Sequence, residues 1–360
     1  MSSEKQKRIN PRMGCVGGQA VMEGVMMKSR QGIATAVRRV DGDIIVRTGN
    51  VKSIKDKYKI FRLPLIRGIV NFIEMMTLSF STLTASAEML GIEEDEPGRF
   101  GKWLQKHFGK SVIGLASVIG MVLGIAVALL LFIWLPAFLA KIVSRYIVTL
   151  GGWYSLVEGL LKMAIFISYL LLVSLMPDIK RVFAYHGAEH KSIFCYEAGE
   201  ELTVENIRTK KRFHPRCGTS FIFVILIISI LIGSVLPSGV VWLRVMLKIL
   251  LLPLVVGIGF EYIIYVGKHE NLLTRIISAP GLWVQRITTK EPDDKMMEVA
   301  IVSIKSSLRS EFPDFVIPYE KSGNEADKAD NKNEDKNINE NPENTGDEPV
   351  AANSMPEEEI

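Results

Sequence analysis

Four long apolar stretches, at about 112–139, 156–176, 219–236 and 241–266, dominate what this 360-residue chain can become. Each approaches the roughly 20 apolar residues that a helix needs to cross bilayer hydrocarbon. Inside lipid a spanning segment must satisfy its own backbone N–H and C=O groups, and a helix does so internally. The expectation is therefore a mainly α fold, a polytopic membrane helical bundle of about four spanning helices. The 48% hydrophobic composition agrees with this reading. Glu158 and Lys162 sit near the outer end of the second stretch, where their stems can snorkel toward water.

Orientation follows from Lys and Arg. The segment before the first stretch is rich in both, as is 178–218 with Lys180, Arg181, Lys191, Arg208, Lys210, Lys211, Arg212 and Arg216. Lys268, Arg275, Arg286 and Lys290 follow the fourth stretch, whereas 141–155 and 237–240 carry few such residues. The positive-inside rule then predicts a multi-pass protein of the plasma membrane with both termini cytoplasmic. Net charge is +4, but residues 321–360 hold 12 acids against 4 lysines, leaving +12 on the rest. A basic excess beside apolar spans points to the lipid bilayer and its anionic head groups as partners. No aromatic-and-basic pattern for nucleic acid is present.

Before the spans, residues 1–13 form a basic segment with no apolar core of a cleavable signal. Residues 14–62 read as a small cytoplasmic β unit of three or four strands. Ile33–Val40 and Asp43–Val51 flank Asp41-Gly42, a two-residue hairpin signal. The glycines of 14–24 suit turns and bulges better than an anion cradle, since no P-loop spacing accompanies them. Residues 63–90 are apolar but carry Arg67, Asn71, Glu74 and Glu88, which suits an interfacial amphipathic helix. A polar linker to 110, with His107 as a surface histidine, leads to the bundle of 111–270.

After the bundle, Ala279-Pro280-Gly281 marks a turn. Glu291-Pro-Asp-Asp294 then begins a helix with Met297, Ala300, Ile301 and Ile304 on one face, within a cytoplasmic region 271–320. Residues 321–360 have too few apolar side chains to order themselves and read as a disordered acidic tail.

Chemistry concentrates in His186-Gly-Ala-Glu189-His190-Lys191, which holds two of the five histidines. On a helix, i and i+4 put both imidazoles on one face, roughly 5–6 Å apart at Cβ. Two imidazoles beside a carboxylate suit a divalent metal, zinc above all. The order H-x-x-E-H also matches an inverted zinc-protease signature in which Glu189 would be the general base. The topology brings His214 and Cys217, just before the third span, to the same cytoplasmic depth. Glu261 lies about five residues from the inner end of the fourth span, roughly 7–8 Å of helix. The predicted metal set is His186 and His190, completed by His214, Cys217 or Glu261, with Glu189 catalytic. Three ligands would leave zinc an open, catalytic position, and four would make the site structural.

Plainer readings stand beside this one. His186 and His190 could contact lipid phosphate, and Glu261 could pair with Lys268 or Arg181. Three cysteines give no even disulfide framework, so reduced thiols are expected, with Cys195 a small buried residue. His269 reads as a membrane-edge residue, and Glu197 and Glu200 as solvated charges before a Thr203-capped helix.

Gly17-Gly-Gln-Ala-Val-Met-Glu23-Gly-Val-Met-Met, Tyr185-His-Gly-Ala-Glu-His190-Lys, Leu202-Thr-Val-Glu-Asn206, His214-Pro-Arg-Cys217-Gly-Thr-Ser220 and Glu291-Pro-Asp-Asp294 together resemble the YqhQ-like family of bacterial membrane proteins. The resemblance covers about residues 12–310, without departure inside those motifs. Members carry a domain of unknown function and are sometimes described as predicted metal-dependent enzymes. The resemblance implies an integral membrane protein with a metal site worth testing, and it implies no reaction. Three functions compete on this reading. They are a metal-dependent hydrolase at the cytoplasmic face, a scaffold or regulator with a structural metal, and a small transporter relaying ions through Glu261 and the histidines.

Overall fold

The computed structural model describes residues 11–50, 53–54, 58–91, 120, 122–236, 240–268 and 272–318. The expected acidic tail 321–360, His107 and His269 lie outside the described residues.

The N-terminal unit is a four-stranded antiparallel meander, β1 (Gly17–Val21), β2 (Gly24–Lys28), β3 (Ile33–Arg38) and β4 (Ile44–Gly49), in that spatial order. The Asp41-Gly42 signal falls in the β3–β4 connection, where Gly42 takes φ 96° and Arg39 and Asp43 close the turn. Glu23, in the two-residue β1–β2 turn, takes φ 49°. The strands alternate poorly in sequence because both faces of the sheet are covered. Val25, Met27, Ala34 and Ala36 point into one core, while Val21, Met26, Val37 and Ile45 point into another closed by Met89.

Met89 ends helix α1 (Ile66–Met89), which packs on β1 and β3 with its C-terminal part. Its N-terminal part crosses the bundle. A Cβ on Gly68 would stand 2.9 Å from the Gly257 carbonyl oxygen, so the two backbones nearly touch. Ile73 and Phe80 are exposed on α1.

Four helices are long and apolar enough to cross a membrane: α2 (Val122–Tyr146, with a π turn at Leu130–Trp134), α3 (Tyr154–Val173), α6 (Gly218–Val235) and Trp242–Val266 within α7 (Val241–Lys268). The first ends at Tyr146 rather than at the expected 139. Glu158 and Lys162 do not snorkel outward. Both are buried, and Arg244 of α7 donates to Glu158 at 2.9 Å.

Between α3 and α6 the chain forms α4 (Pro177–Glu197) and the short α5 (Val204–Arg208), capped by Thr203 as its sequence predicts. After α7 come α8 (Leu272–Thr288) and α9 (Asp294–Ser307). The expected turn at Ala279-Pro280-Gly281 is instead the interior of α8. A Cβ on Gly281 would lie 2.7 Å from the Ser220 Cα, so the glycine serves a close α8–α6 crossing. Helix α9 starts at Asp293, whose side chain accepts from the Met296 N–H, and it buries Met297, Ala300 and Ile304 against α4 and the sheet.

Candidate metal centre

Helix α4 carries the site. Pro177 at its first turn and Asp178 beside it favour a start there. Its second half is buried almost all round, from Ala184 to Glu197. The glycine of the motif has a packing reason. A Cβ on Gly187 would lie 2.1 Å from the Lys290 carbonyl oxygen, and the Lys290 N–H donates to Phe183 at 2.8 Å. The segment after α8 is thereby laid directly on α4.

That contact sets the first histidine. His186 Nδ1–H donates to the Thr288 carbonyl at 2.8 Å, so in the neutral ring Nε2 keeps its lone pair. Nε2 faces Cys217 Sγ at 3.2 Å. His190 is held in the same way, its Nδ1–H donating to the Arg212 carbonyl at 2.5 Å. The two rings meet edge to face, with centroids 4.4 Å apart. Cys217 is the residue just before the first turn of α6. One donor atom from each of His186, His190 and Cys217 lies within 4.8 Å of the others. Tetrahedral zinc with bonds near 2.0–2.3 Å spaces its donors by roughly 3.3–3.8 Å. The widest pair therefore has to close by about 1 Å. Carbonyls that fix the far nitrogen of each histidine are what ligating imidazoles ordinarily have.

Glu189 lies beside this cluster, its Oε2 4.0 Å from His186 Nε2. That oxygen is buried and has no hydrogen-bond partner among the described residues. Burial pushes the carboxyl up to about 7, against the pull of His186. Strand β1 covers it: a Cβ on Gly18 would lie 3.1 Å from Glu189 Cγ. A small cavity lined by Pro215, Ser220, Val224, Tyr262, Ile263 and Ser278 opens on the bundle side of the Cys217 loop.

Two of the predicted ligands fall elsewhere. His214 packs against His190 and Phe194 with tilted rings, centroids 5.5 and 4.7 Å apart, but does not join the donor group. Its Nδ1 accepts from the Arg216 N–H and its Nε2 lies 3.9 Å from Glu197. Burial pushes this imidazole down to about 4, so it is neutral at pH 7. Glu261 is bound by Arg67, whose Nε donates at 2.6 Å and whose terminal nitrogen reaches the second oxygen. Arg181, one of its two expected partners, instead clamps Glu23 in the β1–β2 turn. An acid within an apolar candidate span needs a cation, and α1 supplies one that sequence spacing does not indicate.

Glu197 is also corrected, from a solvated charge to a buried one. It accepts from the Gly14 N–H at 2.8 Å and pairs with Arg216. Burial works to raise its carboxyl, but His214, Gly14 and Arg216 together hold it below the usual carboxylate range. Sequence reasoning also missed Gln285. Fully buried on α8, it accepts from the His214 N–H and donates to the His214 carbonyl, both at 2.7 Å, and to Ser220. It pins the loop that delivers Cys217. Lys191 is similarly occupied, donating to the Arg208 carbonyl and pairing with Glu291. Cys195 is buried as expected.

Fold and site together define a helical membrane protein with a small sheet and a His-His-Cys cluster at one end of its bundle. The model of a family described as a protein of unknown function, DUF1385, matches residues 63–310. The chain is also 38% identical over 300 residues to the uncharacterized protein YqhQ of Bacillus subtilis (strain 168), covering 82% of this chain and 92% of that one. It belongs to this YqhQ-like family. No solved structure matches it.

Proposed function

We propose that the protein is a membrane-bound, metal-dependent hydrolase with its site at the cytoplasmic boundary of the bilayer. One observation carries the reading. His186, His190 and Cys217 converge beside a buried Glu189 oxygen that has no partner. The donor set fits a borderline-soft divalent ion, zinc first. When bound, such an ion would polarise a carbonyl or phosphoryl oxygen and acidify a water.

The chain's own residues do the rest. The Thr288 and Arg212 carbonyls keep both histidines aimed. Glu189 takes the proton from the attacking water and returns it to the leaving group. Gly18 leaves room for Glu189 while β1 excludes bulk water from it. The bond cleaved is an amide, ester or phosphoester.

Metal analysis of the purified protein tests the first half, with about one zinc per chain expected. Glu189→Gln tests the second half, and should keep the metal while hydrolysis of a panel of such substrates is lost. A structural metal in a scaffold is the second reading, favoured by the burial of Cys217 and His190. It predicts that Glu189→Gln changes nothing beyond stability. The transporter reading gains nothing here, because Glu261 is committed to Arg67.

A further inference from the structure

The other end of the bundle holds a second polar cluster. Ser155, Glu158 and Lys162 lie at i, i+3 and i+7 on one face of α3, opposite Arg244 and Lys248 at i and i+4 on α7. Arg244 is 1% exposed and fully engaged. Its Nε donates to Glu158 at 2.9 Å, and its other nitrogens donate to Ser155 and to the Gly233 and Leu236 carbonyls. Lys248 donates to the second Glu158 oxygen. Lys162 is buried and lies within electrostatic reach of Glu158, Arg244 and Lys248, yet has no hydrogen-bond acceptor among the described residues. Three cations therefore share one carboxylate inside an apolar bundle. Uncompensated buried charge is costly, and in a membrane it marks a place where something of opposite sign belongs.

Depth says what that something is. Helix α6 runs from Cys217 at the metal centre to Gly233 and Leu236 at the cation cluster. Its 18 residues span about 27 Å. That is close to the roughly 30 Å of bilayer hydrocarbon, so the cluster lies near the head groups of the opposite leaflet. Lys141 and Arg145 are exposed near the end of α2 at this same end, where Tyr154 donates to the Ala137 carbonyl.

We infer that Lys162, Lys248 and Arg244, with Glu158 as their spacer, form a site for a phosphate group, presented by an anionic lipid or free in solution. Arg244 is held as the rigid floor, and the two lysine ammonium groups close on the anion.

The test is thermal unfolding of the full chain in dodecyl maltoside micelles. Phosphatidylglycerol, a diacylglycerol glycolipid without phosphate, or inorganic phosphate is added. Phosphatidylglycerol should raise the midpoint by several degrees and the glycolipid should not. Inorganic phosphate matching phosphatidylglycerol would assign the site to the free ion, and phosphatidylglycerol acting alone would assign it to lipid. Lys162→Met should weaken the effective ligand about fivefold, and Lys162→Arg should restore it. Equal shifts with phosphatidylglycerol and the glycolipid would overturn the site, as would no shift with either phosphate source. So would an unaltered response in Lys162→Met. The lipid comparison on the unaltered protein decides the matter whether or not that variant folds.

Discussion

His186 Nε2 lies 3.2 Å from Cys217 Sγ across 31 positions of sequence. The histidine comes from α4, which is not one of the four apolar candidate spans, and the thiol from the residue just before one of them. Their meeting brings together the candidate donor group of His186, His190 and Cys217, apart from His214 and Glu261. Alanine at His186, His190 or Cys217 should each abolish stoichiometric metal. His214→Ala and Glu261→Gln should leave it in place. Metal analysis by plasma mass spectrometry reads all five, and metal lost from Glu261→Gln would redraw the site.

Glu189→Gln preserves size and removes the proposed base. Turnover should fall by about 10²- to 10⁴-fold with metal content unchanged. A variant that keeps its turnover rules out Glu189 as the base.

Gly187→Ala puts a methyl group 2.1 Å from a backbone oxygen that cannot yield without moving the whole 289–290 segment. Destabilisation of at least about 2 kcal/mol is expected. Because Thr288 moves with that segment, weakened metal binding should accompany it. A denaturant or thermal midpoint equal to that of the unaltered protein would show that the close crossing is not maintained in solution.

Glu197 makes the folded state sensitive to acid. Its folded carboxyl is held below the ordinary value of 4.5, so its stabilising contribution is complete above that pH. The contribution is lost as pH falls through the lower folded value. Glu197→Gln should therefore lower stability at neutral pH and flatten the acid side of a midpoint-against-pH curve. An acid limb that stays as steep as before would assign the sensitivity to other groups.

Arg67→Ala should loosen α1 without touching the metal. The pair is part-exposed, with side chains 37% and 25% accessible, so its worth is at most about 1 kcal/mol. Hydrogen–deuterium exchange should quicken in the first turns of α1, and unchanged protection there would mean that the Gly68–Gly257 crossing alone holds the helix.

The spanning helices were legible because hydropathy over 18 or more residues has few rival explanations. The i, i+4 histidines, the caps at Thr203 and Asp293 and the Asp41-Gly42 turn were legible because each is a local device. What the chain concealed was long-range. Nothing near Glu261 points to Arg67, 194 positions away, and nothing in α8 marks Gln285 as the clamp on the His214 loop. Pro280 and Gly281 suggest a turn by local rules, which packing on Ser220 overrides. Glu197 looked solvated because its partners, Gly14 and Arg216, approach from separate segments.

Helix α1 closes the sheet's second core with Met89 at one end and lies against α7 at the other. The sheet and α7 are therefore joined through α1. Excising the sheet and α4 would strip away Cys217, Thr288 and the Met89 plug together. Reconstitution in lipid or detergent is thus a requirement for assay, and a clipped, tag-friendly version would be misleading when it proved inert.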